Sequence, residues 1–193
     1  MDFDAQKRTY LAGLASEEKD RSKKGSVDAE IMPLLDAINR QPDFYTTSSC
    51  AGRIDLFREP ASGKKHEGEW LYVTHDEAAF SELSAALKTL PAETVWFRME
   101  GAILHVCCRD LVAANRFLQA CKETGWKHSG ITGTERRIIV EATTSERIDV
   151  PLSKDGVLFV SERFVAYLVK EANNKLRKTR EKMARLEEAT AKR

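Results

Sequence analysis

Residues 44–57 read FYTTSSCAGRIDLF, two runs with aromatic and branched ends that flank a cluster of small polar side chains. Such ends predict strands. The chain is expected to break at Cys50-Ala51-Gly52, because glycine lets the backbone take positive φ or come close to another group. In a strand-turn-strand reading, the amides and hydroxyls of Thr46–Gly52 converge as donors, a geometry suited to an anion or a carboxylate. Arg53 adds a planar fork that pairs bidentately with carboxylate or phosphate. The same residues also read as a tight bulge whose Ser and Thr side chains satisfy local backbone groups and whose arginine meets a surface acid. The sequence leaves both readings open.

Working outward, the residues upstream look helical. Residues 4–19 form one expected helix, and Ser26 can cap a second, with Val27, Ile31, Leu34, Leu35 and Ile38 on one face and a kink at Pro33. Downstream, the loop EPASGKKHEGE leads into the strand WLYVTH, and DEAAFSELSAALKTL reads as a helix with an acidic first turn. VWFRMEGAILHVCC reads as a hairpin with its tip near Glu100-Gly101. A helix from Asp110 to Thr124 stops at Gly125. Strands resume at Arg136 as a meander of RRIIVEAT, RIDVPL and VLFV. A long final helix carries an apolar stripe of Phe164, Leu168, Ala172, Leu176, Met183 and Leu186. This mixture predicts an α+β fold: a mixed, mostly antiparallel sheet, which could curl into a barrel-like form, with flanking helices and a long C-terminal helix, rather than a doubly wound parallel sheet. One domain over residues 1–193 is expected.

Hydrophobic residues make up 42% and charged residues 32%, with no apolar run long enough to span a bilayer, so no membrane partner is expected. The N-terminus lacks the features of an export signal, which predicts a cytoplasmic protein. A monomer is favoured, although the sequence does not fix the oligomeric state. Cys50, Cys107, Cys108 and Cys121 form no CxxC pair and the four histidines are scattered, so neither a disulfide framework nor a metal site is expected. The net charge of +1 conceals a basic tail, in which residues 161–193 carry ten lysines and arginines against five acids. Smaller clusters at Lys19/Arg21/Lys23/Lys24, Lys64/Lys65 and Arg136/Arg137 could meet phosphates, although each alone reads as a solvated surface.

Among single residues, Cys50 would need a lowered pKa and a neighbouring base to act as a nucleophile. His75 closes a strand, where working groups often meet a cleft, but it equally reads as a half-buried cap. His105 reads as a hydrogen-bonded core histidine. Asp28 suits the first turn of its helix, where it would interact with the helix dipole. KKGSVDAEI lacks both the GxxxxGK[ST] and the GxGxxG spacing, so no nucleotide loop is inferred.

KKGSVDAEIMPLLDAIN, FYTTSSCAGRIDLF, the lysine-bearing loop, WLYVTH, ILHVCCRDL, GWKHSGI and LVKEANNKL together resemble the wybutosine-synthesis methyltransferase family, that of tRNA wybutosine-synthesizing protein 3 and its archaeal counterparts. Ala51 stands where serine is expected in many relatives. The resemblance implies an S-adenosylmethionine-dependent enzyme that methylates N4 of a tricyclic, guanosine-derived base (7-aminocarboxypropyl-demethylwyosine or a relative) beside the anticodon of phenylalanine tRNA, on a fold other than the Rossmann methyltransferase sheet. Carried onto this chain it points to Lys24, Gly25, Asp28, Ser48, Ser49, Cys50, Gly52, Arg53, Lys64, Trp70 and His75.

Methyl transfer from a sulfonium is an in-line displacement, so the enzyme chiefly aligns the reactants and removes the acceptor's proton. Asp28 is the first candidate for that base and His75 the second. Ser48, Ser49, Cys50, Gly52 and Arg53 are expected to bind the cofactor, through a carboxylate of its methionine moiety or, alternatively, that of the amino-acid arm on the base. Lys24, Lys64, Lys65 and Trp70 are expected to meet the anticodon stem-loop, with Trp70, and less so Tyr45, able to stack on a base. A non-catalytic RNA-binding module, whose polar turn grips phosphate, is the alternative.

Overall fold

The structure, a computed structural model, describes residues 2–14, 27–63 and 67–192. Lys24, Gly25, Lys64 and Lys65, the Ser26 cap and the expected helical residues 15–19 lie outside the described residues. Helix α1 (Phe3–Leu14) comes first, and a 3₁₀ turn (Ala29–Ile31) enters α2 (Met32–Arg40). Then follow β1 (Phe44–Cys50), β2 (Arg53–Arg58), β3 (Glu69–Thr74), α3 (Phe80–Ala86), β4 (Val95–Glu100) and β5 (Ile103–Cys108). The chain ends with α4 (Leu111–Thr124), β6 (His128–Gly133), β7 (Ile138–Thr143), β8 (Arg147–Lys154), β9 (Val157–Leu158) and α5 (Glu162–Ala191).

Every strand pair is antiparallel, in agreement with the expected α+β class. The strands form two open sheets rather than one, ordered β1-β5-β7-β6 and β3-β2-β4-β8-β9, and neither closes into a barrel. The described residues group into two compact units. The first takes those within 1–51, 102–145 and 180–193, and the second those within 52–101 and 146–179.

In the first unit, Leu104, Val106, Val140 and Ala142 alternate inward from β5 and β7 onto Ile31, Leu34, Leu35 and Ile38 and onto Ala114, Phe117 and Cys121 of α4. Asp110 caps α4 by accepting from the Ala113 N–H at 2.7 Å. Gly125 ends it at φ 91°, a left-handed conformation that permits the 2.8 Å bond from Trp126 N to Cys121 O. The fully buried indole of Trp126 donates to Lys182 O at 3.2 Å. Pro33 begins α2 instead of kinking it, since its missing N–H costs nothing in a first turn.

In the second unit, Val95, Phe97 and Met99 point inward from β4, with Ile54 and Leu56 of β2, onto Leu83 and onto Leu168, Val169, Ala172 and Leu176 of α5. Phe164 was expected in that stripe but is exposed, and Val165 takes the buried position. Helix α3 starts at Phe80, later than expected, after the side-chain amide of Asn173 has satisfied both backbone groups of Ala78.

Three links depart from the sequence reading, because β1 and β2, β4 and β5, and β7 and β8 belong to different sheets. The expected hairpin at Glu100-Gly101 does not form. A two-residue hairpin turn needs positive φ, which Gly101 does not adopt, and Ala102 instead exchanges hydrogen bonds with Thr144. The expected meander is likewise split, and β6, whose Ser and Gly residues concealed it, pairs with β7. Among the described residues no helix is long and apolar enough to cross a membrane.

Candidate active site

The Ser48–Arg53 stretch is the link that leaves β1 of one sheet and enters β2 of the other. Gly52 sits at φ 91°, as the glycine reading predicts. Within the first unit, Ala51 is fully buried and both its backbone groups are held by charged side chains. Its N–H donates to Asp28 Oδ2 at 2.8 Å, and its carbonyl accepts from Arg180 Nη1 at 2.7 Å. Such charge-assisted bonds are the stronger class. Asp28 precedes the 3₁₀ turn and makes no side-chain cap bond there. Nor is Arg180 part of a merely solvated basic face.

A bulge between Thr46 and Ser48 sets the approach to the link. Thr46 is buried and bonded to Asn39 through N–H at 2.8 Å and hydroxyl at 2.9 Å. Ser48 is exposed, and its Oγ lies 2.9 Å from His105 Nδ1, while His105 Nε2 lies 3.0 Å from Glu141 Oε2. His105 is therefore hydrogen-bonded, as expected, but is half-buried rather than a core residue. Ser49 and Cys50 are half-buried. Cys107, Cys108 and Cys121 are buried, and burial pushes the thiols of Cys108 and Cys121 up to about 12. Tyr45 is fully buried between Phe3 and Tyr10, with its hydroxyl on Gln6 at 2.9 Å, so it packs rather than stacks on a ligand.

Within the second unit, His75 follows β3 and its Nδ1 lies 3.0 Å from the carbonyl oxygen of Gly52. A carbonyl can only accept, so Nδ1 carries a proton and donates it to this bond. The guanidinium of Arg53 pairs with Asp55 at 3.3 Å and with Glu100, and lies 5.0 Å over the Trp70 ring. Two internal acids thus occupy the side chain expected to meet a ligand carboxylate, and Trp70, 40% exposed, stacks on Arg53. Asp55 is only 1% exposed. Burial pushes its carboxyl up to about 6, with Arg53 acting in the opposite direction. In the sequence, the signal for Asp55 is a lone acid among Ile54, Leu56 and Phe57.

The structure therefore joins Asp28 to Ala51, His75 to Gly52, Arg53 to Trp70 and Ser48 to His105. Asp28 and His75 are fastened to consecutive residues of the motif by their own units.

The Methyltransferase TYW3 family matches residues 5–192. The chain is 36% identical over 187 residues to the Thermococcus sibiricus protein named tRNA(Phe) 7-((3-amino-3-carboxypropyl)-4-demethylwyosine(37)-N(4))-methyltransferase, covering 96% of this chain and 93% of that protein. It is 38% identical over 201 residues to a rice protein, tRNA wybutosine-synthesizing protein 2/3/4, covering 95% of this chain but only 19% of the rice protein. A solved structure of the PH1069 protein from Pyrococcus horikoshii superposes with a TM-score of 0.89 at 34% identity, over 98% of this chain and 96% of that one. With the family matched over residues 5–192 and the fold of a 34% identical solved structure reproduced, the chain belongs to the TYW3 methyltransferase family.

Proposed function

We propose that this chain transfers a methyl group from S-adenosylmethionine to N4 of 7-aminocarboxypropyl-demethylwyosine beside the anticodon of phenylalanine tRNA, acting as one cytoplasmic, monomeric domain over residues 1–193. The observation that carries the reading is the 2.8 Å hydrogen bond that the buried Ala51 N–H donates to Asp28 within the first unit. A residue far away in sequence thereby brings a proton-accepting carboxylate to the motif. The chemistry of the side chains suits the cofactor: the hydroxyls of Ser48 and Ser49 for an amino-acid group, and the Asp28 carboxylate for positive charge. When bound, that cofactor supplies an electrophilic methyl on a sulfonium.

The residues of the chain do the rest. Asp28, first choice for the base, takes the proton from the acceptor nitrogen and offsets nearby positive charge. His75 is the second choice for that base. Gly52, without a side chain, lets a ligand approach the backbone. Lys24, Lys64, Lys65 and the basic α5 are assigned to the phosphates of the stem-loop, and Trp70 to the base through its exposed face. The test is to incubate the purified chain with S-adenosylmethionine and phenylalanine tRNA that carries the unmethylated base, and to weigh the digested nucleosides. The tricyclic nucleoside should become one methyl group heavier; an unchanged mass despite tRNA binding would leave an RNA-binding module.

A further inference from the structure

Ser48, His105 and Glu141 are direct cross-strand partners on β1, β5 and β7, so the three side chains stand in one row on one face of their sheet. The next position along that row, opposite Glu141 on β6, is Gly130, where an added Cβ would meet nothing within 4 Å. The row therefore ends in open space beside Glu141. At its other end the bulge at Thr47 turns Ser48 outward, and Thr47 Oγ1 donates to the His105 carbonyl at 3.2 Å. The polarity of the row follows from its chemistry. The carboxylate of Glu141 can only accept, so a neutral His105 donates from Nε2 and presents a lone pair at Nδ1. Nδ1 then accepts a hydrogen bond from the Ser48 hydroxyl, which leaves the Oγ lone pairs as acceptors toward any ligand.

We propose that Ser48, His105 and Glu141 form a recognition site for a primary ammonium group: Ser48 Oγ accepts one of its N–H bonds, and Glu141, acting through His105, fixes the polarity that leaves Ser48 an acceptor. The proposal rests on the methyltransferase reading only for the identity of the ligand, because both the methionine moiety of the methyl donor and the 3-amino-3-carboxypropyl arm of the nucleobase carry such a group. It reverses the sequence expectation for Ser48, which was to donate to a carboxylate. His105 is a positioning residue that acts through Ser48.

The test has two binding arms, neither of which requires turnover. In one, S-adenosylhomocysteine and its desamino analogue are titrated calorimetrically into the wild-type chain, Ser48→Ala and Glu141→Gln. In the other, phenylalanine tRNAs with and without the aminocarboxypropyl arm are titrated into the same three proteins. In one arm the wild type should prefer the amine-bearing ligand by roughly ten- to a hundredfold, the usual range for a hydrogen bond to a charged group. Both substitutions, each at an exposed or half-exposed side chain, should abolish most of that preference, and the arm that responds identifies the ligand. A preference that survives both substitutions, or is absent from both arms, overturns the proposal. Imidazole ¹⁵N spectra add a signature that a purely structural row would not require: the Nε2–H tautomer of His105 in the wild type, with a loss of that bias in Glu141→Gln. An Nδ1–H tautomer in the wild type also refutes it. A chain that binds the amine as described yet transfers no methyl group would refute the proposed function and leave this site standing.

Discussion

Replacing Asp55 by Asn should change how stability depends on pH. Asp55 lies on β2, 1% exposed, with Arg53 as its ion-pair partner at 3.3 Å. Burial outweighs that partner and raises its carboxyl from 3.8 to about 6. The folded state therefore keeps its proton up to about pH 6, whereas the unfolded chain releases it near 4. Between those limits the native state binds more protons, so Asp55 lowers stability as pH rises, and its full penalty is reached above about pH 6. At roughly 1.4 kcal/mol per tenfold change in proton affinity, the difference amounts to about 3 kcal/mol. Asn keeps the shape and does not titrate. Urea unfolding of both proteins at pH 4, 5, 6 and 7 should show Asp55→Asn gaining about 3 kcal/mol relative to wild type between the two ends. A difference independent of pH would mean that Asp55 titrates as in water. A difference that moves the other way would mean that Arg53, not burial, controls the carboxyl.

Asp28→Ala orphans the buried Ala51 N–H and should cost about 1–3 kcal/mol in urea unfolding. Asp28→Asn keeps an acceptor there and should lose far less stability, while methyl transfer falls by about two orders of magnitude or more if Asp28 is the base. Gly52→Ala places a Cβ at φ 91° and should lower stability by about 1–2 kcal/mol, measured the same way. In alkylation of the native protein at neutral pH followed by peptide mass analysis, Cys50 should be labelled first and Cys108 and Cys121 last, because burial holds the latter two thiols near 12.

Local chemistry decided what the sequence made legible. The helix stop at Gly125, the Asp110 start, the apolar face of Ile31, Leu34, Leu35 and Ile38, and the long α5 each depend on residues within a few positions of one another. The broken strand at Cys50–Gly52 and the candidate pair of Asp28 and His75 were also visible, the latter through the motif that carries the family resemblance. What the sequence could not reveal was pairing. VWFRMEGAILHVCC alternates correctly for two adjacent strands, yet only long-range contacts assign Val95, Phe97 and Met99 to one core and Leu104 and Val106 to the other. The same holds for the side-chain partners. Nothing near Arg53 in sequence announces that Glu100 and Trp70 will meet it, nor does His105 reveal that Ser48 and Glu141 will flank it. Period and turn chemistry are properties of neighbouring residues and can be read along the chain, whereas strand register and the fate of a charge depend on which distant segments exclude water from it, and folding alone brings those together.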